Sequence, residues 1–276
     1  GTLGTRFASF ASASFASASF ARPRLGTQLP LDKKLCKLYT FYMPAKNRVK
    51  QYLENGYYHL YNRGVEKRLI FLDMQDYAVF LSYLEEYLLP KDEIGLRTQL
   101  ADPNISSREK YKILKALRLN NFADEITLLA YCLMPNHFHF FVKQKNALSI
   151  DKFMNSLCTR YTMYFNKKYK RTGSLYQDTY KGVSVLTEEQ FLHLSRYIHK
   201  QALASQGHAL RSWGQPSSYP EYIGQRTTEW TQPDEVLSYF SKTNPQLSYE
   251  SFVNENDDFD QIQDVILEDE SENIIF

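Results

Sequence analysis

The sequence predicts an α+β domain in which an antiparallel sheet carries helices packed on one face, followed by a C-terminal extension. Three observations carry this expectation. Short aromatic and apolar runs alternate with longer amphipathic segments. Two apolar runs are separated only by Pro135-Asn136, which makes them antiparallel neighbours. Hydrophobic residues make up 43% of the 276, enough for one large core.

Each element follows from its residues. Tyr57 to Asn62 is rich in aromatics and closes on Arg63-Gly64, which reads as a strand and a turn. From Phe71 to Leu88 the residues Phe71, Leu72, Phe80, Leu81, Leu84 and Leu88 recur at helical spacing, and Pro90 ends the run. The charged stretch from Leu89 to Asp124 reads as an insertion between core elements, with a helix from Ser106 or Ser107 to Leu119. Ile126 to Met134 is an apolar strand, and His137 to Lys143 is a second. An amphipathic helix is expected over Ser149 to Lys168, with Phe153, Leu157, Tyr161 and Tyr164 on one face. The basic loop Lys167 to Gly173 leads into a strand predicted over Ser174 to Val185. Thr187, with Gln190 three residues on, caps a helix that runs to about Ala204. Beyond Gly207 the chain is loop-rich, with one helix predicted over Pro233 to Phe240.

The two ends differ from the middle. Residues 1–42 include FASFASASFASASFA, from Phe7 to Ala21, which has no helical or strand period. Such a segment cannot build a packed core. It is expected to be disordered or a non-native start, with the native start at or near Met43; its Ser-rich, acid-poor make-up also suits a transit peptide. Residues 43–224 are expected to form the main domain, 225–252 an extension and 253–276 an acidic tail. Ten of the 31 acidic residues lie from Glu250 onward, where there is no Lys or Arg, so the rest of the chain sets 33 basic residues against 21 acidic ones. A basic body with an acidic tail suits a polyanionic partner. No apolar run is long enough for a membrane span. Cys36, Cys132 and Cys158 are far apart and odd in number, which fits a reducing cytosol.

His137 and His139 are the most informative residues. Side chains at i and i+2 of a strand leave from the same face, so two imidazoles there can bind one metal ion together. By itself the triplet is equally compatible with two ordinary sheet histidines. Its setting favours a site: the pair follows a turn at a strand start, where substrate has access, and large apolar residues anchor the strand behind it.

The segment from Tyr131 to Val142, Tyr-Cys-Leu-Met-Pro-Asn-His-Phe-His-Phe-Phe-Val, resembles the His-hydrophobic-His motif of the single-tyrosine, insertion-sequence-200-like transposases, and is most similar to their REP-associated branch. The resemblance begins at Tyr58-His59-Leu60-Tyr61-Asn62-Arg63-Gly64, includes Phe71 and Asp76-Tyr77, and continues through Arg160-Tyr161, Tyr164-Phe165-Asn166 and Arg171 to Gln177. It resumes at Arg196-Tyr197-Ile198-His199 and runs to Tyr222-Ile223-Gly224. It implies a ferredoxin-like fold, a divalent metal (Mg2+ or Mn2+) held by His137 and His139, and Tyr197 as the nucleophile that attacks a DNA phosphate. It also implies Gln201 as a third metal ligand; the REP-associated branch usually has Asn-Pro where this chain has Gln201-Ala202, a departure shared with the insertion-sequence branch.

The residues support that reading. Tyr197 and Gln201 are four apart on a predicted helix and share a face. A phenol is a weak nucleophile at its unperturbed pKa of about 10, so positive charge must stand nearby. Tyr161, Tyr164 and Tyr180 are its rivals, the first two explained better by packing. Arg63, Arg160, Lys167, Lys168, Lys170, Arg171 and Lys181, with Tyr176 and Tyr180 among them, are candidate contacts to single-stranded or hairpin DNA: cations for phosphates, rings for bases. The expected activity is nicking and strand transfer by a monomer or homodimer. The alternatives are a domesticated hairpin-binding protein that does not cut, and a metal hydrolase, which lacks an evident general base.

Overall fold

The computed structural model describes residues 52–204, 215–255 and 262–266. The expectations for residues 1–42, and for most of the acidic tail, lie outside the described residues. Strand β1 is Tyr57–Arg63, helix α1 Met74–Leu88, strand β2 Ile126–Met134, strand β3 His137–Gln144, helix α4 Ser149–Lys168, strand β4 Lys181–Val185 and helix α5 Glu188–Ala204. The insertion between α1 and β2 holds α2, Glu93–Ala101, and α3, Ser107–Arg118. Short helical turns follow α5: α6 at Tyr219–Tyr222, α7 at Asp234–Leu237 and α8 at Tyr249–Asn254.

The four strands pair in the order β2-β3-β1-β4, every neighbour antiparallel. With α1 and α4 as the two crossings, this is the ferredoxin-like arrangement the resemblance implied. Side chains alternate along β3, and β2 carries one register shift between Leu128 and Ala130. On β3, Phe138 and Phe140 face α1 and α4, where Phe80 stands 5.5 and 6.1 Å from them and 4.9 Å edge-on from Tyr161. All four rings are fully buried, each stabilising the fold by about 1.5–3 kcal/mol relative to exposure. His139 and Phe141 point to the other face, against Tyr197 and Phe191 of α5. The packing predicted for one face therefore holds for α1 and α4, and α5 adds a layer across the opposite face.

Element ends differ from expectation where caps decide them. Helix α1 starts at Met74 because Asp73 caps it, its carboxylate accepting from the Asp76 amide while the Asp76 carboxylate accepts from the Asp73 amide. Phe71 precedes the helix as a buried loop residue. Ser106 caps α3 in the same reciprocal way. The strand predicted from Ser174 forms only from Lys181; Ser174 to Tyr180 is a loop, joined to the end of β1 by an isolated Gly64–Tyr176 bridge, by the Gln177 amide donating to the Arg63 carbonyl at 2.9 Å and by Asn62 Nδ2 donating to the Asp178 carbonyl at 3.3 Å. Only Asp234–Leu237 of the predicted Pro233–Phe240 helix forms. Among the described residues no helix is long and apolar enough to cross a membrane.

Candidate active site

Pairing of β1 with β3 sets Arg63 opposite His137 and Tyr61 opposite His139. The turn before His137 is fastened to the loop after β1. The Pro135 carbonyl accepts from the Ile70 and Phe71 amides at 2.8 and 3.0 Å, and the Asn136 carbonyl accepts from the Gly64 amide at 2.8 Å. A Cβ at Gly64 would stand 2.2 Å from the Arg68 carbonyl oxygen, so this close approach requires glycine. The loop is held in turn by α4: the Tyr161 hydroxyl donates to the Ile70 carbonyl at 2.7 Å, and Lys168 reaches both Asp73 and Asp76. His137 thus begins its strand from a braced frame.

His137 is half-buried and its Nδ1 lies 2.6 Å from the Asn136 side-chain oxygen. His139 is fully buried, with its ring 4.9 Å from that of His137. Its Nδ1 lies 2.9 Å from Nε2 of His59, another fully buried ring, whose Nδ1 lies 2.8 Å from the Val265 carbonyl. Burial, and then the neighbouring His59, push the basicity of His139 well below its ordinary value, so it is neutral. Tyr197 comes down from α5 and meets this pair edge-on, 5.6 Å from His139 and 6.2 Å from His59. Gln201 follows one helical turn later on α5 and is half-buried. The fold therefore gathers Tyr197, His137 and His139 on one side of the sheet. His59 joins them unforeseen: it lies far off in sequence, and only the β1–β3 register brings it to His139.

Tyr197 itself is 1% exposed. The rival tyrosines are committed elsewhere. Tyr161 is a core ring bonded to Ile70. Tyr180 donates to Asp151 and bonds Tyr52; burial, then Tyr52 and Asp151, push its phenol far above the ordinary range. Tyr164 bonds to Asp76.

The expected DNA contacts divide in two. Lys167, Lys170 and Lys181 are exposed, and Arg63 and Arg171 half-buried, Arg171 bonding Asn166. Four others are engaged within the protein itself. Arg160 pairs with Glu86 at 2.7 Å and lies 3.7 Å over the Tyr83 ring, bracing α4 on α1. Lys168 is occupied by Asp73 and Asp76. Tyr176 and Tyr180 are buried, so neither offers a ring face to a base. Alternation of cations and aromatics in sequence did not separate surface tyrosines from core ones.

The residues at the site suit a divalent metal. Two imidazoles, one held neutral, and an amide are uncharged donors that leave coordination positions for water and a phosphate oxygen. Among the described residues no three His, Cys, Asp or Glu side chains form a metal cluster.

Residues 97–201 match the family described as "Transposase IS200 like". That span takes in β2, β3, α4, β4 and α5, and with them His137, His139, Tyr197 and Gln201. Over that segment the chain is similar to the IS200-like transposases. The matched segment leaves out β1, so His59 stands beyond the IS200-like span. Among solved structures, the chain is similar to a REP-associated tyrosine transposase bound to a REP hairpin, with TM-score 0.41 and 9% identity over 68% of this chain and 98% of that one. It is also similar to a candidate transposase from Deinococcus radiodurans R1, with TM-score 0.29 and 15% identity over 58% of this chain and 98% of that one. No curated protein matches the chain.

Proposed function

We propose that this chain nicks and rejoins single-stranded or hairpin DNA through a covalent phosphotyrosine on Tyr197. The observation that carries the reading is Tyr197 standing 5.6 Å edge-on from His139, one helical turn before Gln201, within the IS200-like segment. The Tyr197 hydroxyl gives up its proton to water as its oxygen bonds to the scissile phosphorus; the bond from phosphorus to the 3′ oxygen breaks, and that oxygen takes a proton from water and leaves as a 3′ hydroxyl. The DNA 5′ end stays on the tyrosine as a phosphodiester. Attack by a new 3′ hydroxyl reverses the step and rejoins DNA without ATP, because the ester is conserved. His137, His139 and Gln201 would hold Mg2+ or Mn2+, which supplies Lewis-acid polarisation of the phosphate and offsets the charge that develops on its oxygens. Lys167, Lys170, Lys181, Arg63 and Arg171 hold the DNA backbone.

The burial of Tyr197 favours a second reading, a protein that grips hairpin DNA without cutting it. Incubation with an end-labelled hairpin and Mn2+, followed by a denaturing gel, separates the two. A labelled band at the mass of protein plus DNA, lost with chelator, supports cleavage. Hairpin binding with neither nicked product nor adduct, in Mg2+ or Mn2+, supports the second reading.

A further inference from the structure

Four hydrogen bonds around the two histidines carry an inference about the protons on their rings. The Asn136 Nδ2 group donates to the Lys67 carbonyl at 3.3 Å, and the Asn136 Oδ1 atom lies 2.6 Å from His137 Nδ1. His59 Nδ1 lies 2.8 Å from the Val265 carbonyl, and His59 Nε2 lies 2.9 Å from His139 Nδ1. We infer that Asn136 and His59 are positioning residues that fix both His137 and His139 in the Nδ1–H tautomer, so that each presents Nε2 as its lone-pair nitrogen to a metal. This rests on reading the two histidines as metal ligands.

The direction of each hydrogen bond, with both buried rings neutral, fixes the protons. A carbonyl oxygen accepts and never donates, so His59 Nδ1 carries a proton. A neutral imidazole carries one proton, which makes His59 Nε2 an acceptor. Its partner, His139 Nδ1, must then donate, and the lone pair of His139 falls on Nε2. Neutrality follows from the setting: both rings are fully buried and stacked with centroids 5.1 Å apart, where a charge on either is opposed by burial. The second relay starts from the other end of β1. Because the Asn136 amide nitrogen is turned to the Lys67 carbonyl, its oxygen is the atom facing His137, and His137 Nδ1 is the donor. The lone pair of His137 is again on Nε2.

Two separate acceptor chains, one anchored on the loop after β1 and one on the C-terminal segment at Val265, thus reach the same protonation pattern. A ligating histidine ordinarily has its other ring nitrogen held by an acceptor in this way, and loss of that acceptor weakens metal binding by about 10- to 100-fold. Asn136 acts from the turn before the histidines, and His59 from the neighbouring strand β1.

Nitrogen-15 NMR of the ring nitrogens in the metal-free wild-type chain tests this without any variant. Protonated Nδ1 and unprotonated Nε2 are expected for both His137 and His139; a proton on Nε2 of either ring overturns the inference. A Mn2+ titration followed by electron paramagnetic resonance supplies the second arm. His59→Phe, which keeps ring volume but no acceptor, should weaken Mn2+ binding about 10- to 100-fold, and His59→Gln, which restores a carbonyl acceptor, should recover part of the loss. Asn136→Ala should weaken binding and Asn136→Asp recover it. Unchanged affinity in folded His59→Phe and Asn136→Ala overturns the positioning role. Failure of the wild-type chain to bind Mn2+ or Mg2+ overturns the ligand reading instead, and the NMR result then still decides the tautomers.

Discussion

His137 and His139 share a strand face but not the same share of the fold. His137 is half-buried at the strand start, so His137→Ala should abolish cleavage and leave thermal stability within about 0.5 kcal/mol of wild type. His139 is fully buried and stacked on His59, so His139→Ala should abolish cleavage and also cost on the order of 2 kcal/mol or more, read from urea midpoints. Both should retain most hairpin affinity, because exposed cations carry it. Gln201→Ala should be milder and partly rescued by excess metal, since water can replace a neutral ligand. Equal and complete loss of DNA binding in all three would point to a structural site. Tyr197→Phe should bind DNA and form no adduct. Tyr180→Phe should form adduct but be less stable, because the hydroxyl it loses bridges Tyr52 and Asp151. At this scale the sequence carried the local signals: the i, i+2 histidines and the i, i+4 pair of Tyr197 and Gln201. It hid His59, whose part depends on strand register, and it hid the burial of Tyr176 and Tyr180, which depends on which helix face packs inward.

Helix α5 joins the sheet to the C-terminal turns through buried polar contacts. Arg196 donates to the Phe252 carbonyl at 2.9 Å and lies 4.0 Å over the Phe252 ring. His199 bonds the Tyr249 hydroxyl at 2.6 Å and the Ser218 hydroxyl at 2.8 Å. Burial lowers the pKa of His199 to about 3 from an ordinary 6.5. Above pH 6.5 the ring is neutral in both folded and unfolded chains and stability does not respond to it. As pH falls below 6.5 the unfolded chain gains a proton that the folded chain refuses, so stability declines towards about pH 3, by up to about 1.4 kcal/mol per pH unit. Between pH 6.5 and 5, before most carboxylates titrate, His199→Gln should flatten the decline in urea midpoint; His139 keeps part of it, being depressed in the same direction. A slope unchanged in His199→Gln would contradict this account. The core strands and long helices were legible as elements because their apolar periods are strong and their caps local. The stretch from Ser174 to Tyr180 was misread as strand because its aromatics serve the α4 side of the core rather than a ladder, and α2 was missed because no residue of it is buried.

Across the whole chain, basic residues outnumber acidic ones until Glu250, and acidic residues alone follow. An acidic tail competes with phosphates for exposed lysines such as Lys167, Lys170 and Lys181. Deleting residues 268–276, which keeps Val265 and its bond to His59, should strengthen nonspecific DNA binding near 50 mM salt, with the difference fading as salt rises. Fluorescence anisotropy with a hairpin lacking a cleavage site reads this; equal affinity at low salt would show that the tail does not reach the basic face. The central claim is that Tyr197 forms the covalent bond to DNA. Mass spectrometry of the proteolysed adduct, formed with a hairpin and Mn2+, tests it most directly. The account predicts a 5′-phosphonucleotide on the peptide that contains Tyr197, and none with Tyr197→Phe. An adduct mapped to another tyrosine, or surviving in Tyr197→Phe, would contradict it.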